Sequence, residues 1–167
     1  AAEVAKLGVY GVKWESSVHL LAVSYSDSVV RLDCGGRICN TTHSPKVGYN
    51  LSISADGVIF VGARDGQFVE ISGDTVISHK IPGAYRAVSG ISVSSYGNIR
   101  YCGGFDGHLR ALSLEDDLLW EQDLIGEVWS IWASRNGQYV VAGGGAGTVK
   151  AVKSLIDQDA CRQIEQH

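Results

Sequence analysis

The chain has 167 residues, 45 % of them hydrophobic and 19 % charged, with a formal net charge of −4. This length supports one domain that buries about 70 % of its unfolded surface, and the composition excludes a disordered chain. No basic block or stripe accompanies the acidic balance, which argues against a nucleic-acid partner, and no apolar run approaches the ~18 residues a membrane helix needs.

The first residues, "AAEVAKLGVY", lack the basic region and apolar stretch of a signal peptide, so a cytoplasmic location is the expectation. Methionine is absent even at position 1, which marks a fragment or a processed product. Twenty-one glycines against two prolines suit many tight turns between strands.

In chain order, residues 1–8 read as a fourth strand with no unit of its own, in the slot that "WEQDLIG" fills before the last unit. Four units follow, at about 9–46, 47–84, 85–126 and 127–167. Each begins with alternating apolar residues: Tyr10, Val12 and Trp14; Tyr49, Leu51 and Ile53; Ile91 and Val93; Trp129, Ile131 and Ala133. Alternation over two is strand periodicity. A run such as "VIFVG" or "YVVAG" comes next and suits a buried strand. Then comes Asp-Gly or a small-residue equivalent, a strong hairpin signal. Third strands read "VVRLD", "QFVEI", "HLRAL" and "TVKAV"; fourth strands read "RICNTTH", "TVISHKI" and "LLWEQDL". The tail is either a helix, with Ser154 and Asp157 in a capping box, or a last strand over Ala160–Ile164.

The turn residues fix the repeat. Gly57, Gly97 and Gly137 are 40 and 40 residues apart, and Gly66, Gly107 and Gly147 are 41 and 40 apart. A four-stranded meander of about 40 residues leaves an apolar face uncovered, and radial packing of such units makes a β-propeller. The expected fold is therefore all-β, a single propeller domain of four antiparallel blades. As half of a larger seven- or eight-bladed ring, it would be completed by a second copy or another chain. A closed four-bladed ring and an open array are the alternatives.

The units resemble blades of the WD40 and quinoprotein-like (PQQ-repeat) superfamily over residues 9 to about 153. "ISADGVIFVGARDGQFVEI" is similar to the second-to-third-strand stretch of WD40 repeats, and "GHLRALSLEDDLLWEQDL" to the quinoprotein-type repeat. No unit has Gly-His before its first strand or ends in Trp-Asp, and "LDCGGRIC" matches the quinoprotein signature only in part. The resemblance implies a fold more than a function. The expected function is a non-catalytic scaffold that binds protein or peptide through its loop face, and the exposed faces and edge strands of a partial ring favour self-association or a companion chain. The alternative is a piece of a propeller enzyme with a cofactor in a central channel.

Tyr10, Tyr49 and Trp129 occupy equivalent positions, with Ser89 in the third unit. They form either a binding platform or packing between blades. Asp27, Asp65 and Asp106 recur because aspartate suits the turn. Arg64 and Arg86 do not recur, so turn chemistry does not explain them, and they are candidates to meet an acidic partner. Tyr10, Tyr49, Arg64, Arg86, Asp106 and Trp129 are the candidate binding residues. No catalytic residue, metal ligand or cofactor is expected. The five histidines lack zinc-site spacing, no serine sits in a G-x-S-x-G elbow, and "VVAGGGAGTVKAV" lacks the Lys-Ser/Thr of a phosphate loop. Cys34 and Cys39, in "CGGRIC", are too far apart for C-x-x-C. They read as small buried or half-buried thiols, or as a hairpin disulfide.

Overall fold

A computed structural model describes residues 8–17, 19–24, 27–44, 46, 48–95 and 98–154. The N-terminal strand expected over 1–8 and the helix or strand expected over 154–167 lie almost wholly outside these residues. The chain is all-β, with fifteen strands in four antiparallel sheets among the described residues. Sheet 1 holds β1 (Val9–Trp14), β2 (His19–Ser24), β3 (Ser28–Asp33) and β4 (Ile38–His43). Sheet 2 holds β5 (Gly48–Ile53), β6 (Ile59–Ala63), β7 (Gln67–Ser72) and β8 (Thr75–Lys80). Sheet 3 holds β9 (Gly90–Val93), β10 (Arg100–Gly103), β11 (His108–Leu112) and β12 (Leu118–Asp123). Sheet 4 holds β13 (Val128–Ala133), β14 (Tyr139–Gly144) and β15 (Val149–Lys153). Each sheet is a meander in sequence order, and the first strand of each packs against the first strand of the next.

The turns follow from the residues at them. Between first and second strands, Ser54, Ser94 and Ser134 recur; Gly57 and Gly137 donate N–H bonds back to Ser54 and Ser134, and Ser94 donates to Ile99. Asp65 and Gly66 both have positive φ, 60° and 67°, as a two-residue hairpin of mirror type requires. The third sheet differs from the expected Asp turn. Its hairpin encloses as many residues as that of sheet 2, but Gly107 alone takes positive φ (81°), and Asp106 does not.

Three apolar layers lie between the four sheets. Val29 of sheet 1 meets Leu51, Val61 and Val69 of sheet 2. Phe60 and Phe68 of sheet 2 meet Ile91, Val93 and Cys102 of sheet 3. Tyr101 and Leu109 of sheet 3 meet Val128, Ile131 and Val140 of sheet 4. β6, rich in β-branched and aromatic residues, is buried throughout between two layers, and so is β10, whose Arg100 is neutralised by Glu70 and Asp116. β14 is buried in part only: among the described residues no further sheet packs on its far face. Sheets 1 and 4 do not cover one another: Trp14 is 64 % exposed and Trp132 59 % exposed. Among the described residues, no strand joins sheet 1 to sheet 4.

Polar groups join the layers where apolar packing cannot. The Val93 N–H donates to Ser52 Oγ at 3.2 Å, and one repeat later the Ala133 N–H donates to Ser92 Oγ at 2.9 Å. Tyr101 donates its hydroxyl to the Gly137 carbonyl, and Ser89 donates to the Val128 carbonyl. Between sheets 2 and 3 the buried Arg100 guanidinium reaches Asp116 Oδ1 at 2.6 Å and Glu70 Oε2 at 3.2 Å, with the rings of Phe60 and Phe68 5.4 and 5.5 Å away. His79 stacks on Phe68 at 4.7 Å and meets Asp116 Oδ2 at 2.5 Å.

The glycines of "VVAGGGAGTVKAV" belong to the β14–β15 hairpin, and they have separate duties. A Cβ on Gly144 would overlap the Glu127 carbonyl, and one on Gly104, the equivalent residue of sheet 3, would overlap the Ala87 carbonyl. Here the chain entering each sheet crosses the end of its second strand. Gly143 has nothing within 4 Å of such a Cβ and no positive φ.

Two tests follow from this packing. In urea titrations, Gly104→Ala and Gly144→Ala should each lose about 1–3 kcal/mol, because backbone rather than a side chain must give way; Gly143→Ala should unfold like the wild type. Arg100→Met should lose about 3–5 kcal/mol, since Glu70 and Asp116 are left without their cation.

Candidate functional site

Three first strands carry a β-bulge at the same place. The register skips Tyr10 in β1, Tyr49 in β5 and Trp129 in β13. A bulge turns its extra side chain away from the ladder, and here it turns an aromatic ring onto the end of the sheets where the entering loops lie. β9 has no bulge, and Ser89 stands in that position just before it.

These residues converge. Tyr10, Tyr49, Asn50, Ser89, Phe105 and Trp129 line one concavity of about 490 Å³. Tyr10 meets Tyr49 edge-on, with centroids 5.9 Å apart and planes at 69°. Tyr49 meets Phe105 in the same way, at 5.7 Å and 74°. These edge-on contacts join sheets 1, 2 and 3, and they leave Tyr10 56 % exposed and Trp129 57 % exposed. They pack on each other and face outward.

Arg86 closes the belt between Phe105 and Trp129. Its Nη1 donates to the Phe105 carbonyl at 2.6 Å, and its guanidinium lies 5.9 Å from the Phe105 ring centre. Nη2 stands 3.7 Å from Glu127 Oε1, whose other oxygen accepts the Trp129 indole N–H at 3.2 Å. The Arg86–Glu127 pair is about half exposed, so its worth is orientation more than stability.

The other two candidates lie elsewhere. Arg64 is exposed in the β6–β7 turn and is not among the residues lining the concavity. Asp106 is turned inward: Oδ2 accepts from Arg110 at 2.8 Å, Oδ1 accepts the His108 N–H at 3.3 Å, and its side chain is 2 % exposed. Its carboxylate is therefore held by the fold and is not presented to a ligand.

Phe105 and Asn50 were not among the sequence candidates. Neither recurs: the position of Phe105 holds Arg64 in the second unit and Gly145 in the fourth. The fourth unit lacks the Asp and Phe of the third, and the space is used: the indole of Trp129 lies 3.1 Å from the point where a Gly145 Cβ would stand.

The concavity offers phenol, indole, amide and hydroxyl groups, with no histidine, thiol or carboxylate among its six lining residues. His108, Glu121 and Asp123 gather on the outer part of sheet 3, where His108 Nδ1 is 2.5 Å from Asp123 and Glu121 is held by Arg110 at 2.6 Å. That is a network of paired charges. The cysteines correct the sequence reading in part. Cys102 is buried, but Cys34 and Cys39 are both exposed and both free, because they sit in the β3–β4 turn and on the outermost strand of sheet 1.

No family model and no curated protein sequence matches the chain. Solved structures do. The structure of U3-55K superposes with a TM-score of 0.78 at 17 % identity, over 91 % of this chain and 50 % of that one. The likeness is one of fold. The crystal structure of the computationally designed Ika4 protein superposes with a TM-score of 0.71 at 19 % identity, over 92 % of this chain and 95 % of that one. The chain thus spans about half the length of the U3-55K structure and nearly all of the designed one. No helix among the described residues is long and apolar enough to cross a membrane.

The thiols give a direct check on burial. Desolvation pushes the Cys102 thiol up from 9.0 to about 12. In native protein, iodoacetamide at pH 8 should label Cys34 and Cys39 and spare Cys102 until urea is added, read by peptide mass mapping. The raised pKa favours the folded state below pH 9, and that contribution fades as pH rises through about 12.

Proposed function

We propose that this chain is a propeller-type scaffold without catalytic activity, and that it binds a protein or peptide through the end of the sheets where Tyr10, Tyr49, Phe105 and Trp129 converge. The propeller reading, in the manner of WD40 and quinoprotein-like repeats, draws on the 40-residue period and the first-strand-to-first-strand stacking of the four sheets. Four such sheets make part of a ring, half of a seven- or eight-bladed one.

One observation carries the binding role. Aromatic residues from four separate sheets meet in one open concavity, and Tyr10, Tyr49 and Trp129 are aimed there by bulges. Exposed aromatic clusters of this size are costly to leave in water and are typical anchors of interfaces. Rings fixed by bulges and edge-to-face contacts lose little freedom on binding, which favours affinity. The lining favours an extended segment bearing an apolar or cationic side chain: ring faces accept either, while Asn50 and Ser89 supply hydrogen bonds to a backbone.

Peptides selected from a phage-displayed random library on the wild-type chain provide the test. Trp129→Ala and Tyr49→Ala should each weaken the selected peptides by about tenfold or more, and Arg86→Ala should weaken them less, by loosening Phe105. Leu118→Ala, on the exposed outer strand β12, should leave binding unchanged in the same titration. Selected peptides indifferent to Trp129→Ala and Tyr49→Ala would overturn the assignment.

A further inference from the structure

The three internal joints are built alike. In each, the rear face of one sheet meets the front face of the next. Front positions on the first strands are Leu51, Ile91 and Ile131, at 0, 2 and 5 % exposure. Rear positions on sheet 3 are Ile99, Tyr101 and Leu109, at 4, 0 and 0 %. At the serine-bearing joints, the rear residue of one first strand (Ser52, Ser92) touches the backbone of the front residue on the next (Val93, Ala133).

The two ends of the array show the same positions uncovered. On sheet 1 the front residues of β1 are Val12 at 57 % and Trp14 at 64 % exposure, with Val9 at 45 %. On sheet 4 the rear residues are Trp132 at 59 %, Tyr139 at 50 % and Val149 at 77 %. By register, Tyr139 and Val149 correspond to Ile99 and Leu109, and Trp132 to Ser92. The open strip on sheet 1 is confined to β1, since Val30 and Leu32 of β3 are buried.

We infer that a second copy of this chain covers both strips, rear of sheet 4 on front of sheet 1, to give a two-fold dimer with two identical joints. The inference rests on the propeller reading. The strip on sheet 4 offers the rear face of such a joint, and the strip on sheet 1 offers the first-strand part of its front face, so a second copy brings a matching surface at both ends. A foreign partner would have to supply two different faces. At the new joint, Trp132 of one copy takes the place of serine and meets Trp14 of the other, which takes the place of Val93 or Ala133. Two indoles replace a hydroxyl and an aliphatic side chain, a pairing suited to a joint that carries no covalent link. Because the joint is head-to-tail, only a closed ring uses every face; open association would continue into a polymer.

Light scattering on a sizing column, with the full chain at tens of micromolar, tests the inference. The expected result is twice the chain mass. Trp14→Glu and Trp132→Glu, both at exposed sites and each checked for unchanged far-ultraviolet circular dichroism, should run as monomers, with the dimer dissociation constant raised at least about tenfold. An equimolar mixture of the two variants should recover dimer, because one of its two joints regains both native faces. A wild-type monomer, a polymer, a dimer indifferent to both substitutions, or a mixture that stays monomeric would each overturn the inference. Peptide binding at the Tyr10–Trp129 concavity, measured in the Trp14→Glu chain, separates this outcome from the scaffold reading, which stands if binding persists in a monomer.

Discussion

The contact on which the fold depends is that between successive first strands. Every first strand is the edge of its own sheet, so one row of its backbone groups has no ladder partner. Edge groups buried without a partner cost free energy. Val93 and Ala133 escape that cost because a serine on the preceding sheet accepts their N–H. Around each hydroxyl, apolar side chains of both sheets exclude water, which makes the bond harder to replace. A sheet therefore has its edge completed only by its neighbour. Stability is shared along the array in the manner of a repeat protein, with each joint as the unit.

The same geometry produces the aromatic cluster. A first strand must leave its entering loop, cross the end of the second strand and then pair with it. The crossing is tight enough that Gly104 and Gly144 tolerate no Cβ. The bulges at Tyr10, Tyr49 and Trp129 lie where the pairing begins. Close crossing and re-aimed rings are thus two results of one backbone path. In sheet 3 the path has no bulge, and there Ser89 binds the Val128 carbonyl of the next sheet.

How much of this was legible in the sequence varied with the range of the interaction. The period, the hairpins and most strand limits depend on local chemistry, such as glycine and aspartate at positive φ and β-branched runs. Gly66, Asp65 and "VIFVG" carry that chemistry in adjacent residues. The equivalence of Tyr10, Tyr49 and Trp129 was also readable, because it follows the period. Arg100 was not, since its partners Glu70 and Asp116 lie 30 and 16 residues away and it occurs in one unit only. Asp106 looked like a turn residue because it precedes a glycine, yet its side chain answers to Arg110, a buried cation whose need for a carboxylate no local pattern records. Ser52 and Ser92 keep the period too, with Lys13 and Trp132 at the equivalent positions of the first and last units.

Charge placement separates the two ends of the molecule's chemistry. The buried cations Arg100 and Arg110 are neutralised within or between sheets, where leaving them unpaired would cost several kcal/mol. At the concavity Arg86 is treated differently. It is half exposed, and its bonds go to a carbonyl and a carboxylate that hold Phe105 and Trp129 in place. Its positive charge therefore sets the attitude of two rings first and meets a partner second. An acidic ligand would have to compete with Glu127 for the same guanidinium. An apolar or cationic side chain laid on the rings meets no such competition, and so, on the binding role proposed above, the aromatic faces weigh more than the arginine.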